Sequence, residues 1–305
     1  MRPAVWLLLL PALSACELQE VTVVDFEDVV VGEVYVTLGD APADHRVRAF
    51  LHGTAAGGTP DSETFNGAVV RIERDDGLAL VLGLAAVGTC VDTLADGATG
   101  SCFTDGGAAS SLAPGDRLDL TIDLADGRRL IGGLTIPGDF QLDRIPPVCR
   151  LEPDTLLELR WTRSEGAWAY VNETSINGLP SALASEGIEV EDDPLYLLGL
   201  SISASDTTVV FPSEFGVFDR FDLDQDLALR LQRGLPEGTD ALITIAAVER
   251  NYVNWVRGGN FNPSGQVRVA SLRGDGTGVF GAAVVRRFTV FADEPGGLAD
   301  DCPLS

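Results

Sequence analysis

Four aspartates in one short stretch are the residues whose type and spacing most directly suggest chemistry. Asp219, Asp222, Asp224 and Asp226 lie in "DRFDLDQDL" (219–227). Carboxylate oxygens at this spacing could converge on Ca²⁺ if the segment is a loop, although it lacks the glycine at the sixth position that an EF-hand loop uses. In a strand, three of the four would instead line one solvated face. We therefore predict no cofactor and a solvated face at these four carboxylates, with a Ca²⁺ site as the alternative.

Two aromatic residues stand beside a loop rich in Asn and Gly. Tyr252 and Trp255 precede "GGNFNPSG" (258–265). Such rings line sugar- and peptide-binding surfaces, and they also cap sandwich cores. We expect either a ligand-binding rim or a core cap at these two residues. With the aspartate stretch, the rim would make a calcium-dependent adhesion or glycan-binding module.

A hydrolase is the enzymatic alternative. The two histidines, His45 and His52, have no accompanying G-x-S-x-G nucleophile elbow. A glycosidase needs only two carboxylates, but a chain with 46 acidic residues contains such pairs by chance. The Arg-Gly-Asp tripeptide in "RGDG" (273–276) is interpreted as a glycine-rich turn before the last strand. We therefore predict a protein that is not an enzyme and assign no catalytic residue.

The start of the chain has the anatomy of an export signal. An apolar run over residues 4–15 follows a single arginine and is too short to cross about 30 Å of hydrocarbon. It ends in Leu13, Ser14, Ala15 and Cys16, which looks like a bacterial lipobox, the signal that places a lipid on the cysteine. We predict a signal peptide over 1–15 and a membrane anchor at Cys16, with an ordinary secretory signal as the alternative. The predicted location is the cell envelope, with the outer membrane favoured over the inner one.

The other four cysteines fit an exported protein with disulfides. Three connectivities are open to Cys90, Cys102, Cys149 and Cys302. We favour Cys90–Cys102, because these two flank a short Gly/Thr/Asp-rich loop, and this leaves Cys149–Cys302. Metal binding is disfavoured because the chain has no C-x-x-C pair.

The charge excludes one class of partner. The chain has 46 acidic and 21 basic residues, a formal net charge of −25. Nucleic-acid binding needs a basic surface that displaces counterions. We therefore predict no nucleic-acid partner.

The pattern of apolar residues predicts strands throughout. Asp76-Gly77 and Asp126-Gly127 lie between alternating runs and predict hairpins with type I′ turns. Residues 223–235 are the one helical candidate, but Leu227, Leu229 and Leu231 fit a period of two better. Strands are predicted within 29–38, 45–53, 67–83, 116–137, 155–176 and 278–291.

The prolines near the middle suggest a boundary. Pro146-Pro147 cannot continue a sheet ladder. We predict a tether over 16–28, a first β-domain over 29–141, a linker over 142–149 and a second β-domain over 150–305.

Several short motifs occur in the order found in one family. They are "VVVGEVYVTL", "FNGAVVRIERDDG", "LAPGDRLDLTIDLADGRRLIGGLTIPG" and "GDGTGVFGA". The chain resembles the two-domain, β-rich lipoproteins of Bacteroidetes-type bacteria, a family of unknown function often encoded beside TonB-dependent outer-membrane receptors. The resemblance implies an all-β fold of two β-sandwich-like domains. The first would be like transthyretin or carboxypeptidase regulatory domains, and the second like fibronectin or an irregular sandwich, with "LELRWTRSEGAWAYVNETSI" resembling a fibronectin-type strand pair. We predict a non-enzymatic binding or accessory module of the envelope, and the resemblance suggests an outer-membrane transporter as its envelope partner.

Overall fold

The fold was analysed in a computed structural model that describes residues 29–54, 62–91, 100–201, 203–214, 225–257, 269–293 and 299–303. The predicted signal peptide, lipobox, Cys16 and tether lie outside these ranges, as do Asp219, Asp222 and Asp224. None of the helices in the described ranges is long and apolar enough to cross a bilayer.

Strands dominate the described residues, and the prediction of an all-β fold is confirmed. The strands are β1 (Val30–Leu38), β2 (Arg46–Gly53), β3 (Val69–Arg74), β4 (Ala79–Val81), β5 (Gly83–Ala85), β6 (Gly100–Thr104), β7 (Arg117–Asp123), β8 (Arg129–Thr135), β9 (Val148–Leu151), β10 (Leu157–Arg160), β11 (Ala169–Asn177), β12 (Leu195–Leu200), β13 (Thr208–Phe211), β14 (Thr239–Val248), β15 (Arg273–Gly274) and β16 (Gly276–Ala292). The helices are α1 (Ser62–Asn66), α2 (Leu179–Leu183), α3 (Gln225–Leu231) and α4 (Arg250–Arg257).

Nine of the strands form one large sheet. Its order is β12-β11-β14-β16-β1-β2-β6-β5, and β9 pairs with β16 beyond the end of β1. The closing strand β16 confirms the predicted strand at 278–291 and lies at the centre of the sheet. It pairs along one side with β14 and along the other with β1 and then β9. Its continuous apolar run fits a strand that is covered on both faces.

A second sheet packs against part of the first. Its order is β15-β8-β7-β3-β4, and its alternating strands turn Leu118, Leu120 and Ile122 inward as predicted. A Cβ atom added at Gly32 of β1 would lie 3.4 Å from the side chain of Ile122, so the two sheets are in contact there. The two sheets therefore form a sandwich, and the first half of the chain supplies four of the five strands of its second layer. One outward position departs from the predicted pattern, because the apolar Ile131 of β8 is exposed.

Both predicted hairpins form, but their turns are not type I′. A type I′ turn needs positive φ at both central residues. Here only Gly77 and Gly127 have positive φ, at 89° and 91°, while Asp76 and Asp126 do not. In each hairpin the glycine N–H donates to the residue three positions earlier, so the glycine follows a type I turn as the left-handed residue of a bulge.

The large sheet joins the two halves of the chain. β1 pairs in parallel with β16, from Val30 opposite Gly276 to Leu38 opposite Val284. One continuous core contains Leu51 from the first half and Leu159 from the second. Strands on both sides of residues 142–149 thus share a sheet, and β9 begins within that segment. The predicted division into 29–141 and 150–305 did not include a sheet shared by both parts. The period of apolar residues locates strands but does not say which strands are neighbours.

Two further sequence interpretations are corrected. Residues 225–231 form helix α3 instead of a strand, because Leu227 and Leu231 are buried one helical turn apart while Leu229 is 50% exposed. β10 and β11, which resembled a fibronectin-type strand pair, do not pair with each other. β10 pairs with β13, and β11 lies between β12 and β14.

Both favoured disulfides are present. Cys90–Cys102 joins β6 to the segment that follows β5, and Cys149–Cys302 joins β9 to the C-terminal residues. The second bond spans 153 residues of sequence. It holds the C-terminal segment beside β9, where the Arg150 N–H also donates to the Asp300 carbonyl oxygen.

Candidate functional site

The large sheet has a second face, turned away from the main core, and a helix lies on it. Along β16, Ala282 and Val284 enter the main core, whereas Ala283 and Val285 join a separate cluster with Val253 of α4. Successive residues of a strand point to opposite faces. Arg287 therefore continues the outer row of β16, beyond the part that this cluster covers.

Helix α4 is fixed on this outer face by its first turn. The carboxylate of Glu249 accepts hydrogen bonds from the backbone N–H groups of Asn251 and Tyr252 at 2.6 and 2.8 Å. This is the geometry of an N-cap, which satisfies N–H groups that have no partner within a helix. The Asn251 side chain donates to the Phe280 carbonyl oxygen at 3.1 Å and ties the same turn to β16. The position of Tyr252 is therefore set by the cap.

Beside α4 lies a concave region of about 370 Å³, which we call the sheet groove. A volume of this size is in the range of small-molecule sites. The groove crosses β2, β1, β16, β14 and β11, and its lining includes charged, aromatic and small apolar side chains. The lining residues are Glu33, Tyr35, Thr37, Asp44, Arg46, Arg48, Phe50, Cys90, Val91, Glu173, Thr244, Ala246, Tyr252, Ala283, Val285 and Arg287.

Glu173, Thr244 and Arg287 form one row across the sheet. Thr244 of β14 is opposite Glu173 of β11 on one side and opposite Arg287 of β16 on the other. These three residues also line a neighbouring depression of about 390 Å³, where Tyr196 and Leu242 are exposed. The row is therefore shared by the linings of two concave regions on one face.

The environment of the groove raises the pKa of two groups, Glu173 and Tyr252. Loss of hydration among the surrounding strands raises the pKa of Glu173, although solvent reaches the side chain, and the positive charge of Arg287 opposes this shift. Burial, followed by the negative charge of Glu173, raises the pKa of Tyr252 to about 12. The ring of Tyr252 contacts Tyr35 edge to face, with centroids 5.5 Å apart. At neutral pH Tyr252 is thus a neutral hydrogen-bonding phenol in the wall of the groove.

The two predicted rim residues have different surroundings. Tyr252 lines the sheet groove, but on a helix and not in a loop. Trp255, also on α4, is 8% exposed and packs with Val31 and Val279, as a core cap would. The neighbouring stretch 258–265 lies outside the described residues.

The structure does not bring the other candidates to this groove. Asp226 is in the first turn of α3. Among the residues that the structure describes, no three His, Cys, Asp or Glu side chains form a group that could hold a metal ion. His45 is buried just before β2, whereas His52 stacks on Phe50 with ring centroids 5.3 Å apart. Arg273 belongs to β15, so the Arg-Gly-Asp tripeptide is partly paired with β8.

Sequence reasoning missed most of the groove. Arg48, Glu173 and Arg287 are outward positions of alternating strands, and this much the periodicity signals. Their placement on one face depends on the order of β2, β1, β16, β14 and β11 in the sheet. That order joins segments more than 100 residues apart along the chain.

Comparisons with known proteins add little to this description of the site. No protein-family model matches the chain, and no curated protein matches it. A solved structure of Clostridium thermocellum CbhA fibronectin(III)-like modules is similar at 11% identity, over 88% of this chain and 98% of that one, with a TM-score of 0.19. A TM-score of this size carries no argument about fold or function.

Proposed function

We propose that this protein is a lipid-anchored, non-enzymatic binding module of the bacterial cell envelope, and that its binding surface is the outer face of the large sheet. The sheet groove is the observation that carries this proposal. It combines a volume suited to a ligand with aromatic walls and charged groups on strands whose pairing holds them in place.

The envelope location is supported by the chemistry of the cysteines. Two disulfides are expected of a protein that folds in an oxidising compartment. Leu13, Ser14, Ala15 and Cys16 have the lipobox pattern. An outer-membrane transporter is the partner that the resemblance to envelope lipoproteins suggests, and that suggestion is an analogy of sequence pattern.

The binding surface can be tested by site-specific photocrosslinking in cells. A photoreactive amino acid at Arg48, an exposed position in the lining of the groove, should capture a partner, and the same group at Thr121 on the far face of β7 should not. Capture should be lost when the partner is saturated by added unlabelled protein. Equal capture from both positions, or none from Arg48, would contradict the assignment of the binding surface.

The anchor has a separate test. We expect Cys16→Ser to release the protein from membranes or to leave its signal uncleaved, because the lipid is attached through the thiol. Mature Cys16→Ser protein that stays in the membrane fraction would rule out lipid attachment at this residue. A Cys90→Ser/Cys102→Ser variant, which removes two cysteines and leaves Cys16 in place, controls for general effects of cysteine loss.

A further inference from the structure

We propose that the free edge of β12 binds an extended peptide segment of a partner protein as an added strand, and that this segment is apolar at alternate positions and basic at its ends. The evidence is the unpaired edge of β12, the apolar side chains beside it and the acidic residues around it. The proposal goes beyond the sheet groove, because β12 contributes no residue to the lining of that groove.

Strand β12 lies at one end of the large sheet. Within the part of the chain that the structure describes, it pairs with β11 on one side and with no strand on the other. Just after β12, the Ser201 N–H donates to the carbonyl oxygen of Tyr170 of β11 at 2.8 Å. Hydrogen-bonded and non-hydrogen-bonded pairs alternate along an antiparallel ladder. The backbone N–H and C=O groups of Tyr196, Leu198 and Leu200 therefore point to the free edge.

This edge lacks the features that usually protect one. β12 is six residues long, with the sequence LYLLGL, and contains no charged residue and no proline. The other strands with a single partner in the described sheets are β4, β5, β9, β10, β13 and β15, which have two to four residues each. Edge strands are commonly short, charged or interrupted by proline, because unpaired backbone groups recruit other strands. β12 is therefore the described edge best suited to pairing with another chain.

Apolar side chains border this edge on the outer face of the sheet. Tyr196 is 70% exposed, and it lines the depression of about 390 Å³ together with Leu198 and Leu242. In a strand added beside β12, every second side chain would lie on this face, about 5 Å from its neighbour on β12. Apolar residues at these positions would remove the ring of Tyr196 from water. The face thus favours a segment with apolar residues at alternate positions.

The charge around β12 favours basic residues at the ends of the segment. Residues 178–207 contain no basic residue and six acidic ones, which are Glu186, Glu189, Glu191, Asp192, Asp193 and Asp206. Glu189, Glu191 and Asp192 are exposed just before the strand. A second copy of this chain would bring two such acidic segments together, and like charges repel. A basic peptide from another protein is therefore the occupant that fits.

The backbone pairing is tested with the end-capped peptide Arg-Val-Thr-Val-Thr-Arg, whose dissociation constant for the purified protein is measured by NMR titration. Two matched peptides carry N-methyl groups on either the valines or the threonines. Successive N–H groups of an extended strand point to opposite sides, so only one set faces β12. We expect one methylated peptide to bind like the parent and the other about tenfold more weakly or worse. Equal binding by the two methylated peptides, or no binding of the parent in the millimolar range, would overturn the proposal.

The charge preference is tested on both molecules. A peptide with glutamate in place of both arginines should bind about tenfold more weakly than the parent. Glu191→Gln/Asp192→Asn should weaken binding of the parent peptide, whereas Asp75→Asn/Glu152→Gln, which removes two exposed acidic residues far from β12 in the sequence, should not. Equal binding of the two peptides, or equal losses in the two double variants, would contradict recognition of basic residues at this edge.

Leu198→Pro locates the binding. It removes an N–H that faces the free edge and leaves the hydrogen bonds to β11, which is the side on which edge strands tolerate proline. We expect it to weaken binding of the parent peptide by about tenfold or more, and Leu198→Ala, which keeps the N–H, to weaken it less. Folded Leu198→Pro protein that binds like the unmodified protein would defeat the proposal. If this variant does not fold, the methylated peptides decide.

Two further outcomes would assign the edge or the peptide differently. Arg48→Gln in the sheet groove should leave peptide binding unchanged, and a loss as large as that in Leu198→Pro would place the peptide in the groove. A dimer in sedimentation that Leu198→Pro abolishes, without peptide binding, would show that β12 pairs with a second copy. Either result overturns the proposal, and neither contradicts a binding surface on the outer face.

Discussion

Glu173 and Arg287 lie at the same level of the large sheet, on the two strands that flank β14, with Thr244 between them. Two strand spacings, about 10 Å, separate their backbones. Arg287 lowers the pKa of Glu173, but the loss of hydration raises it more, so the net shift is upward. The groove therefore contains a carboxylate whose charge is not fully compensated by the protein.

Replacement of Glu173 should change the pH dependence of stability. A carboxyl whose pKa is raised in the folded state contributes stability that is complete below its unfolded pKa and is lost as the pH rises through the folded pKa. Glu173→Gln removes this loss. We expect the melting temperature of the variant, relative to the unmodified protein, to be higher at pH 7 than at pH 4.

Glu152→Gln is the control for that measurement, because it removes an exposed carboxylate from outside the groove. A Glu173→Gln difference that is the same at both pH values would show that Glu173 is as well hydrated as in the unfolded chain. The groove would then be more open to water than the structure indicates.

The cap of α4 should contribute measurably to stability. Glu249→Ala removes the acceptor for two backbone N–H groups of α4 and for that of Ala282, and it should cost about 1 kcal/mol, the usual loss for an N-cap residue. Glu249→Gln keeps an acceptor oxygen and should cost less. Urea denaturation gives both values. Equal and negligible losses would mean that the cap does not hold α4, and with it Tyr252, on the sheet.

The local sequence pattern was sufficient to predict the elements that depend on residues close together in the chain. Leu118, Leu120 and Ile122 alternate with polar residues, and each is buried as that alternation predicts. The Asp126-Gly127 hairpin follows from turn chemistry, although the exact turn depends on φ values that the dipeptide alone does not fix. The cysteine pairs also followed from loop composition and elimination.

The sequence pattern could not predict which strands pair when they are far apart in the chain. β1 and β16 come from opposite ends of the chain, and their parallel pairing carries the outer rows of both strands onto one face. The two strands approach closely at glycine residues, and the period of apolar residues does not reveal this. A side chain at Gly278 would collide with the backbone of Gly32. The groove depends on this pairing, and so the presence of Arg48 and Arg287 on one face could not be derived from their separate strands.

The assignment of residues 225–231 to helix α3 predicts different stability losses for substitutions at Leu229 and Leu231. Leu231→Ala should destabilise the protein by about 2–5 kcal/mol, because it empties a buried site in the main core. Leu229→Ala should change stability by less than about 0.5 kcal/mol, because that side chain is half exposed on the helix. Chemical denaturation distinguishes the two. Similar losses at both positions would fit the strand that periodicity favoured and would contradict α3.

The two disulfides should differ in their contributions to stability, because they close loops of different length. In the chain-entropy description, a cross-link stabilises by restricting the unfolded state and does so more for a longer loop. The 153-residue separation of Cys149 and Cys302 corresponds to about 5 kcal/mol, and the 12-residue separation of Cys90 and Cys102 to about 3 kcal/mol. We therefore expect Cys149→Ser/Cys302→Ser to lower the free energy of unfolding by more than Cys90→Ser/Cys102→Ser does.

Double serine variants are the suitable comparison for the two disulfides, because each removes a whole bond and leaves no unpaired thiol. The Arg150–Asp301 ion pair lies beside Cys149–Cys302 and could hold the C-terminal segment without the disulfide. Arg150→Gln in the background of Cys149→Ser/Cys302→Ser separates the two contributions. If the long-loop variant loses no more stability than the short-loop variant, the C-terminal segment is kept near β9 in the unfolded chain or is held there mainly by contacts such as this ion pair.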